Sequence, residues 1–270
     1  MSGLTFTLKA EPNQRLDLSS LVPGRLDGLS EMAIAVLPIG TTKELLVVGD
    51  LFDIALGDTA SIRLEGGSER FDRVGEGLSA GAVHVEGDVG FRAGRAMTGG
   101  TLTIAGSAGP HAGSGMSGGT ITIAGDAGER LGGPLAGEMA GMSGGLIRVL
   151  GSAGPRAGDK LRRGTILVAG DAGEHAGSRM IAGTLVVGGR AGPGAGRLMK
   201  RGTLVLAGGA DGLSPTFLDN GPADLLILGL MAKAFSGSAI GMPLITGAPM
   251  RRYGGDTAVL GKGEVFVPLA

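Results

Sequence analysis

The sequence predicts an all-β fold: a right-handed parallel β-helix of about 19 residues per turn, with an N-terminal cap and an irregular C-terminal tail. The first observation is a repeat. The segment Gly100-Thr101-Leu102-Thr103-Ile104-Ala105-Gly106 has counterparts starting at Gly81, Gly119, Gly145, Gly164, Gly183 and Gly202, so successive starts lie 19, 19, 26, 19, 19 and 19 residues apart. The second is composition. Glycine supplies 56 of 270 residues while aromatics make up 3%, so something regular replaces the aromatic bulk of an ordinary core. With only 12 prolines and no Gly-X-Y period, the chain is neither collagen-like nor a low-complexity linker.

Residues 1–40 lack the repeat but carry apolar runs such as Ala33-Ile34-Ala35-Val36-Leu37, as a cap over the open end of a stack requires. Residues 41–222 form the repeat region. Leu45 to Asp50 and Ser61 to Gly66 read as its degenerate first turns. Each later repeat opens with a short strand, such as Leu102 and Ile104 alternating with threonines, which buries one face. Glycines then follow at Gly87, Gly106, Gly125, Gly151, Gly170, Gly189 and Gly208 and are expected to supply positive-φ bends. Ala-Gly pairs come next, then one long apolar side chain per turn: Met97, Met116, Met142, Leu161, Met180 and Met199.

The 26-residue step holds seven extra residues, placed around Gly132 to Glu138 as a loop between turns. A 19-residue turn exceeds the three hexapeptides of the left-handed type, which favours right-handed winding. Residues 223–270 close the single structural domain, with Ala223 to Leu230 reading as strand and the remainder as a tail carrying Tyr253 and Phe266.

A formal net charge of −1 gives the chain no general attraction for nucleic acid or anionic membranes. Without cysteine it has no disulfide, thiolate ligand or thiol nucleophile. The opening residues show no apolar core of signal-peptide length, and no run is long enough to span a bilayer, so a cytoplasmic protein is expected.

His111 and His175 share one repeat position, but stacking sets them roughly 14 Å apart, too far to share a metal ion. With Arg92, Arg130 and Arg156 they form a basic surface row, and no metal site is expected. Arg162, Arg163, Lys200 and Arg201 are the centre of a second basic concentration. Such a patch suits an acidic partner or a polyanion, and without interleaved aromatics it offers bases no stacking platform. Glycine spacings such as Gly192-Pro193-Gly194 have no following helix to bind phosphate. Asp126 and Asp171 alternate with Ser107 and Ser152, so no catalytic carboxylate pair emerges.

The run Gly164-Thr165-Ile166-Leu167-Val168-Ala169-Gly170-Asp171-Ala172-Gly173, with the tail Met250-Arg251-Arg252-Tyr253-Gly254-Gly255-Asp256 and Gly261-Lys262-Gly263-Glu264, resembles the family of formylmethanofuran dehydrogenase C subunits. The resemblance covers most of the chain, and the tail is its more specific part. Gly-rich β-helices also close the large subunit of glutamate synthase, so that setting remains an alternative.

Within the family the resemblance implies one of two complexes, a molybdenum or tungsten dehydrogenase or a bacterial formyltransferase/hydrolase. The Ala/Gly/Arg-rich, Lys-poor composition favours the second. In that setting the complex moves formyl from formyl-tetrahydromethanopterin to a methanofuran-type carrier and hydrolyses it to formate, a route of formaldehyde oxidation in methylotrophy. This chain is then a scaffold without its own active site, holding an amidohydrolase-like subunit, a formyltransferase subunit and a small companion. Gly132, Pro134, Glu138, Arg251, Arg252 and Tyr253 are the candidate contacts. The patch Arg162, Arg163, Lys200 and Arg201 is a candidate seat for the carrier's glutamyl groups.

Overall fold

The structure is a computed structural model and describes residues 3–223, 226, 229, 230, 233 and 249–269. Its first strands are β1 (Gly3–Leu8), β2 (Leu16–Asp17), β3 (Phe52–Ala55), β4 (Asp58–Glu65), β5 (Phe71–Asp72) and β6 (Ala82–Glu86). The repeats supply β7 (Thr98–Ile104), β8 (Gly118–Ile123), β9 (Ser143–Val149), β10 (Arg163–Val168), β11 (Thr184–Val187) and β12 (Thr203–Leu206). The chain closes with β13 (Phe217–Ala223), β14 (Met250–Asp256) and β15 (Glu264–Pro268). Short helices α1 (Pro23–Leu26), α2 (Glu31–Ala35) and α3 (Val48–Leu51) precede β3.

Among the described residues thirteen strands form one sheet, ordered β13-β14-β15-β12-β11-β10-β9-β8-β7-β6-β4-β1-β3. From β6 to β12 neighbours are consecutive in sequence and parallel, with Ile166 opposite Leu185 and Leu185 opposite Leu204. The irregular step sets Ile121 opposite Ile147 without loss of register. A second, thinner ladder runs Ala108–Ala127–Ala153–Ala172–Ala191–Ala210, one parallel bridge per repeat. Parallel pairing in one register brings identical repeat positions into columns, so one aliphatic or methionine side chain per repeat at each such position fills the interior. Leu102, Ile121, Ile147, Ile166, Leu185 and Leu204 make one fully buried column, and the expected methionine and leucine residues from Met97 to Met199 make another.

The glycines have two roles, divided differently from expectation. Apart from Gly87, the row Gly106 to Gly208 expected to bend with positive φ does not. Its members are small because the preceding repeat lies against them. A Cβ on Gly106 would stand 2.5 Å from the carbonyl carbon of Gly87, and one on Gly208 would stand 2.4 Å from the carbonyl oxygen of Gly189. The positive-φ glycines are those that open each strand, such as Gly100 at 69°, and those of the Ala-Gly pairs, such as Gly113 at 68°.

The single buried face also needs correction. In β7 and β8 the alternation holds, but in β10 to β12 Leu167, Val186 and Val205 are buried on the opposite face, together with Phe266 and Met250. These outward positions carry Thr103, Thr122 and Arg148 in earlier repeats and become aliphatic where that face is covered.

From residues 1–40 the sheet receives β1, which pairs parallel with β4 and antiparallel with β3, the strand at that end of the sheet. Aromatic residues gather there: the rings of Phe6 and Phe52 lie 6.1 Å apart, and those of Phe52 and Phe71 lie 5.7 Å apart. Leu45 to Asp50 is not a degenerate strand. Asp50 accepts a hydrogen bond from the Val47 N–H at 2.9 Å, which starts α3, and Leu45 is exposed. Ser61 to Gly66 does join the sheet, through β4.

Ala223 ends β13, and Leu226, Gly229 and Leu230 are helical rather than strand. The tail is also more regular than expected, because β15 pairs parallel with β12 and β14 returns antiparallel to it. A last open edge with the backbone groups of Thr203 to Val205 exposed would be costly, and Glu264 to Phe266 satisfies it.

Candidate functional site

The four cations singled out in the sequence come together. Arg162 and Arg163 at the start of β10, and Lys200 and Arg201 ahead of β12, line one cleft of about 260 Å³ with Ile181 and Ala182. The spacing explains the convergence: all precede or open a strand in their own repeats and therefore fall at one edge of the sheet. All four are exposed, and none forms an ion pair among the described residues. Four positive charges without an ion pair among the described residues, gathered beside Ile181 and Ala182, make this part of the surface electropositive.

Arg162 also lines the neighbouring cavity, which it shares with Arg95, Glu138 and Ser143. The insertion loop therefore borders the basic cleft. Gly132 belongs to the repeat itself, matching Gly113 and Gly158, and its carbonyl accepts from the Met142 N–H at 2.7 Å. The loop proper is 133–141. Gly132 and Pro134 are buried within the chain, whereas Met139 is 84% exposed.

Glu138 fastens the loop from behind. Its carboxylate accepts from Arg95 at 2.8 Å and from the Leu135 N–H at 2.8 Å, and its carbonyl accepts from the Lys160 ammonium at 3.1 Å. The Arg95 hydrogen bond, chiefly, holds the Glu138 carboxyl below the usual carboxylate range. Sequence reasoning missed Arg95, although its place one repeat before Ser114, to which it also donates at 3.4 Å, was a signal.

The tail candidates lie in β14 and are engaged within the chain. Arg251 pairs with Asp219 at 2.9 Å, Arg252 pairs with Glu264, and Tyr253 packs against the core opposite Val265.

The basic row is present: Arg92, His111, Arg130, Arg156 and His175 all take left-handed backbone conformations, with φ between 56° and 63°. The two histidines are half-buried rather than exposed, and in each the Nδ1 atom is buried without a partner. Burial, then Arg130, lowers the pKa of His111; burial, then Arg63, lowers that of His84. Among the described residues no three His, Cys, Asp or Glu side chains gather as metal ligands.

The Asp/Ser alternation has a structural explanation. Asp88 accepts from the Ser107 N–H at 2.7 Å, and Ser107 accepts from the Asp126 N–H at 3.1 Å. Asp126 accepts from Ser152 at 2.7 Å, Ser152 from Asp171 at 3.1 Å, and Asp171 from Arg190 at 2.7 Å. Each side chain caps the backbone of the next repeat, which occupies the carboxylates structurally.

No family model matches the sequence. The chain is 58% identical, over 264 residues covering 98% of it and 99% of the relative, to the C subunit of the formyltransferase/hydrolase complex Fhc of Methylorubrum extorquens. Its fold matches, with a TM-score of 0.93 and 48% identity over 98% of this chain and 100% of the other, a chain in the crystal structure of the formyltransferase/hydrolase complex FhcABCD from the same organism in complex with methylofuran. Identity at this level, across nearly the whole of both proteins, establishes that the chain belongs to the family of formyltransferase/hydrolase complex C subunits.

Proposed function

We propose that this chain is the non-catalytic scaffold subunit of a cytoplasmic formyltransferase/hydrolase complex that passes formyl from formyl-tetrahydromethanopterin, through a methanofuran-type carrier, to formate. The observation that carries the reading is the match to the Fhc C subunit at 58% identity over 99% of that relative's length. The fold suits the task. We read it as a right-handed β-helix of about 19 residues per turn, capped by residues 1–40, wound through 41–222 and closed by 223–270. Stacked turns give long straight faces, and their glycine and alanine surfaces let partner backbones approach closely.

The insertion loop, with Glu138 behind it and Met139 at its surface, is the leading contact for a partner protein. Gly132 and Pro134 support it from below, and Arg251, Arg252 and Tyr253 offer only the faces left free by their own pairings. The cleft of Arg162, Arg163, Lys200 and Arg201 receives glutamyl carboxylates of the carrier beside that loop.

The test is native purification of the tagged chain with identification of its partners and an assay of formate release. An amidohydrolase-like subunit and a formyltransferase support the reading. Recovery with a molybdopterin and iron–sulfur protein replaces it with the dehydrogenase setting, recovery with a glutaminase chain with the glutamate synthase setting, and recovery alone overturns it. Replacing Arg162, Arg163, Lys200 and Arg201 by Ser, with assembly, carrier retention and turnover all unchanged, would sink the carrier role of the cleft.

A further inference from the structure

A cavity outside the basic cleft has its own origin in the repeat. The position occupied by Arg92, His111, Arg130, Arg156 and His175 in successive repeats is Gly194 in the next one. The row thus loses its side chain once, and a hollow of about 160 Å³ opens there, lined by Arg156, His175, Ser178, Arg179, Arg197 and Leu198. Gly194 is held glycine by this arrangement, since a Cβ there would stand 2.5 Å from the Nδ1 of His175.

The polar groups around the hollow are unequal. Arg179 is neutralised: its Nε donates at 2.8 Å to Asp159, a carboxylate with no exposed surface that also accepts from Ser178 at 3.0 Å. That pairing fixes the guanidinium in place. Arg156 and Arg197 have no ion pair among the described residues, and the buried Nδ1 of His175 has no hydrogen-bond partner. Two guanidiniums without an ion pair line a space too small for a peptide segment but ample for one oxyanion with its stem, while the His175 Nδ1 is closed off against Gly194.

We propose that this hollow is an oxyanion site, which seats a carboxylate or phosphate group between Arg156 and Arg197. It is independent of the scaffold reading and of the cleft at Arg162, since it shares no lining residue with that cleft. Arg197 supplies an exposed arm and Arg156 a half-buried one, so the anion is clasped from two sides.

The test is calorimetric titration of the full chain with inorganic phosphate and with citrate at constant ionic strength. Wild-type chain should bind saturably, and the pair Arg156→Asn, Arg197→Ser should weaken binding at least about tenfold, as loss of charge-assisted hydrogen bonds requires. Asn is chosen at 156 because it tolerates the left-handed backbone there. Arg197→Ser alone, at a residue of ordinary φ, should weaken binding in the same direction even if the double variant folds poorly. Every titration, the wild-type reference included, is run in a Lys200→Ser, Arg201→Ser background, so that anions held at the separate cleft do not contribute, and Arg25→Ser, at an exposed residue lining neither cavity, should leave the affinity unchanged.

Equal affinity in Arg197→Ser and wild type, or no saturable binding by wild type, overturns the proposal. The natural source of the anion is read from the assembled complex carrying Arg197→Ser. Loss of a subunit identifies an acidic side chain of a protein partner; retention of every subunit with loss of a co-purifying small polyanion identifies a free ligand.

Discussion

The Asp126 carboxylate accepts a hydrogen bond from the backbone N–H of Ser152 at 2.7 Å, across the one repeat boundary that carries an insertion. The seven extra residues leave this rung intact because they are looped out between Gly132 and Met142, and the strand registers on either side continue unchanged. Asp126→Ala removes the acceptor and should lower unfolding free energy by about 1 kcal/mol, while Asp126→Asn, which keeps an oxygen there, should stay within about 0.5 kcal/mol of wild type. Urea denaturation of the three proteins checks this.

Glycines that look alike in sequence should respond in opposite ways to alanine. At Gly106 a Cβ meets backbone of the neighbouring repeat, and Gly106→Ala should cost about 1–3 kcal/mol or more. At Gly212 a Cβ meets nothing within 4 Å and φ is not in the left-handed range, so Gly212→Ala should be neutral or stabilise by up to about 1 kcal/mol. Thermal denaturation midpoints that fall equally for both would count against the steric account of the Gly106 row.

Two methionines separate stability from assembly. Met116 is fully buried in the column beside the strands, and Met116→Ala should cost about 2–5 kcal/mol. Met139 is exposed on the insertion loop, and Met139→Ala should leave the isolated chain within about 0.5 kcal/mol of wild type while loosening its hold on a partner protein. Denaturation of the chain and pull-down of the complex read the two effects independently.

Stability should rise with pH through the range just below the ordinary histidine pKa. Burial and neighbouring arginines lower the pKa values of His84 and His111, so the folded state binds fewer protons than the unfolded chain between the lowered values and about 6.5. The stabilising difference is present above about 6.5 and lost as pH falls through that window. Unfolding free energies measured at several pH values should show this slope, and His84→Gln with His111→Asn should flatten it.

The repeat region was legible because its information is local and redundant: each strand restates the last, so Ile166, Leu185 and Leu204 declare their own alignment. The basic cleft was legible for the same reason, since Arg162 and Lys200 hold the same position in repeats two steps apart, as do Arg163 and Arg201. The N-terminal cap was not, because the contacts of Phe52 with Phe6 and Phe71 are single long-range events with no second copy to compare. The return of β15 onto β12 likewise joins segments about sixty residues apart by one pairing. Glycine presented a different obstacle: a positive φ and a close backbone approach both demand it, and only three-dimensional placement separates Gly100 from Gly106. The hollow beside His175 was marked in the sequence by Gly194, an absence within a row read for its charges.

The register kept from β6 to β12, whatever is looped out between strands, makes this chain a ruler graduated in strands. Adding or deleting one whole 19-residue repeat changes the separation of its two closed ends by a single inter-strand step of about 4.8 Å, and leaves every column aligned. Any other number of residues must bulge outward, as 133–141 does. Distances between bodies fastened at the two ends can therefore change only in whole steps, while ornaments along the flank vary freely in length.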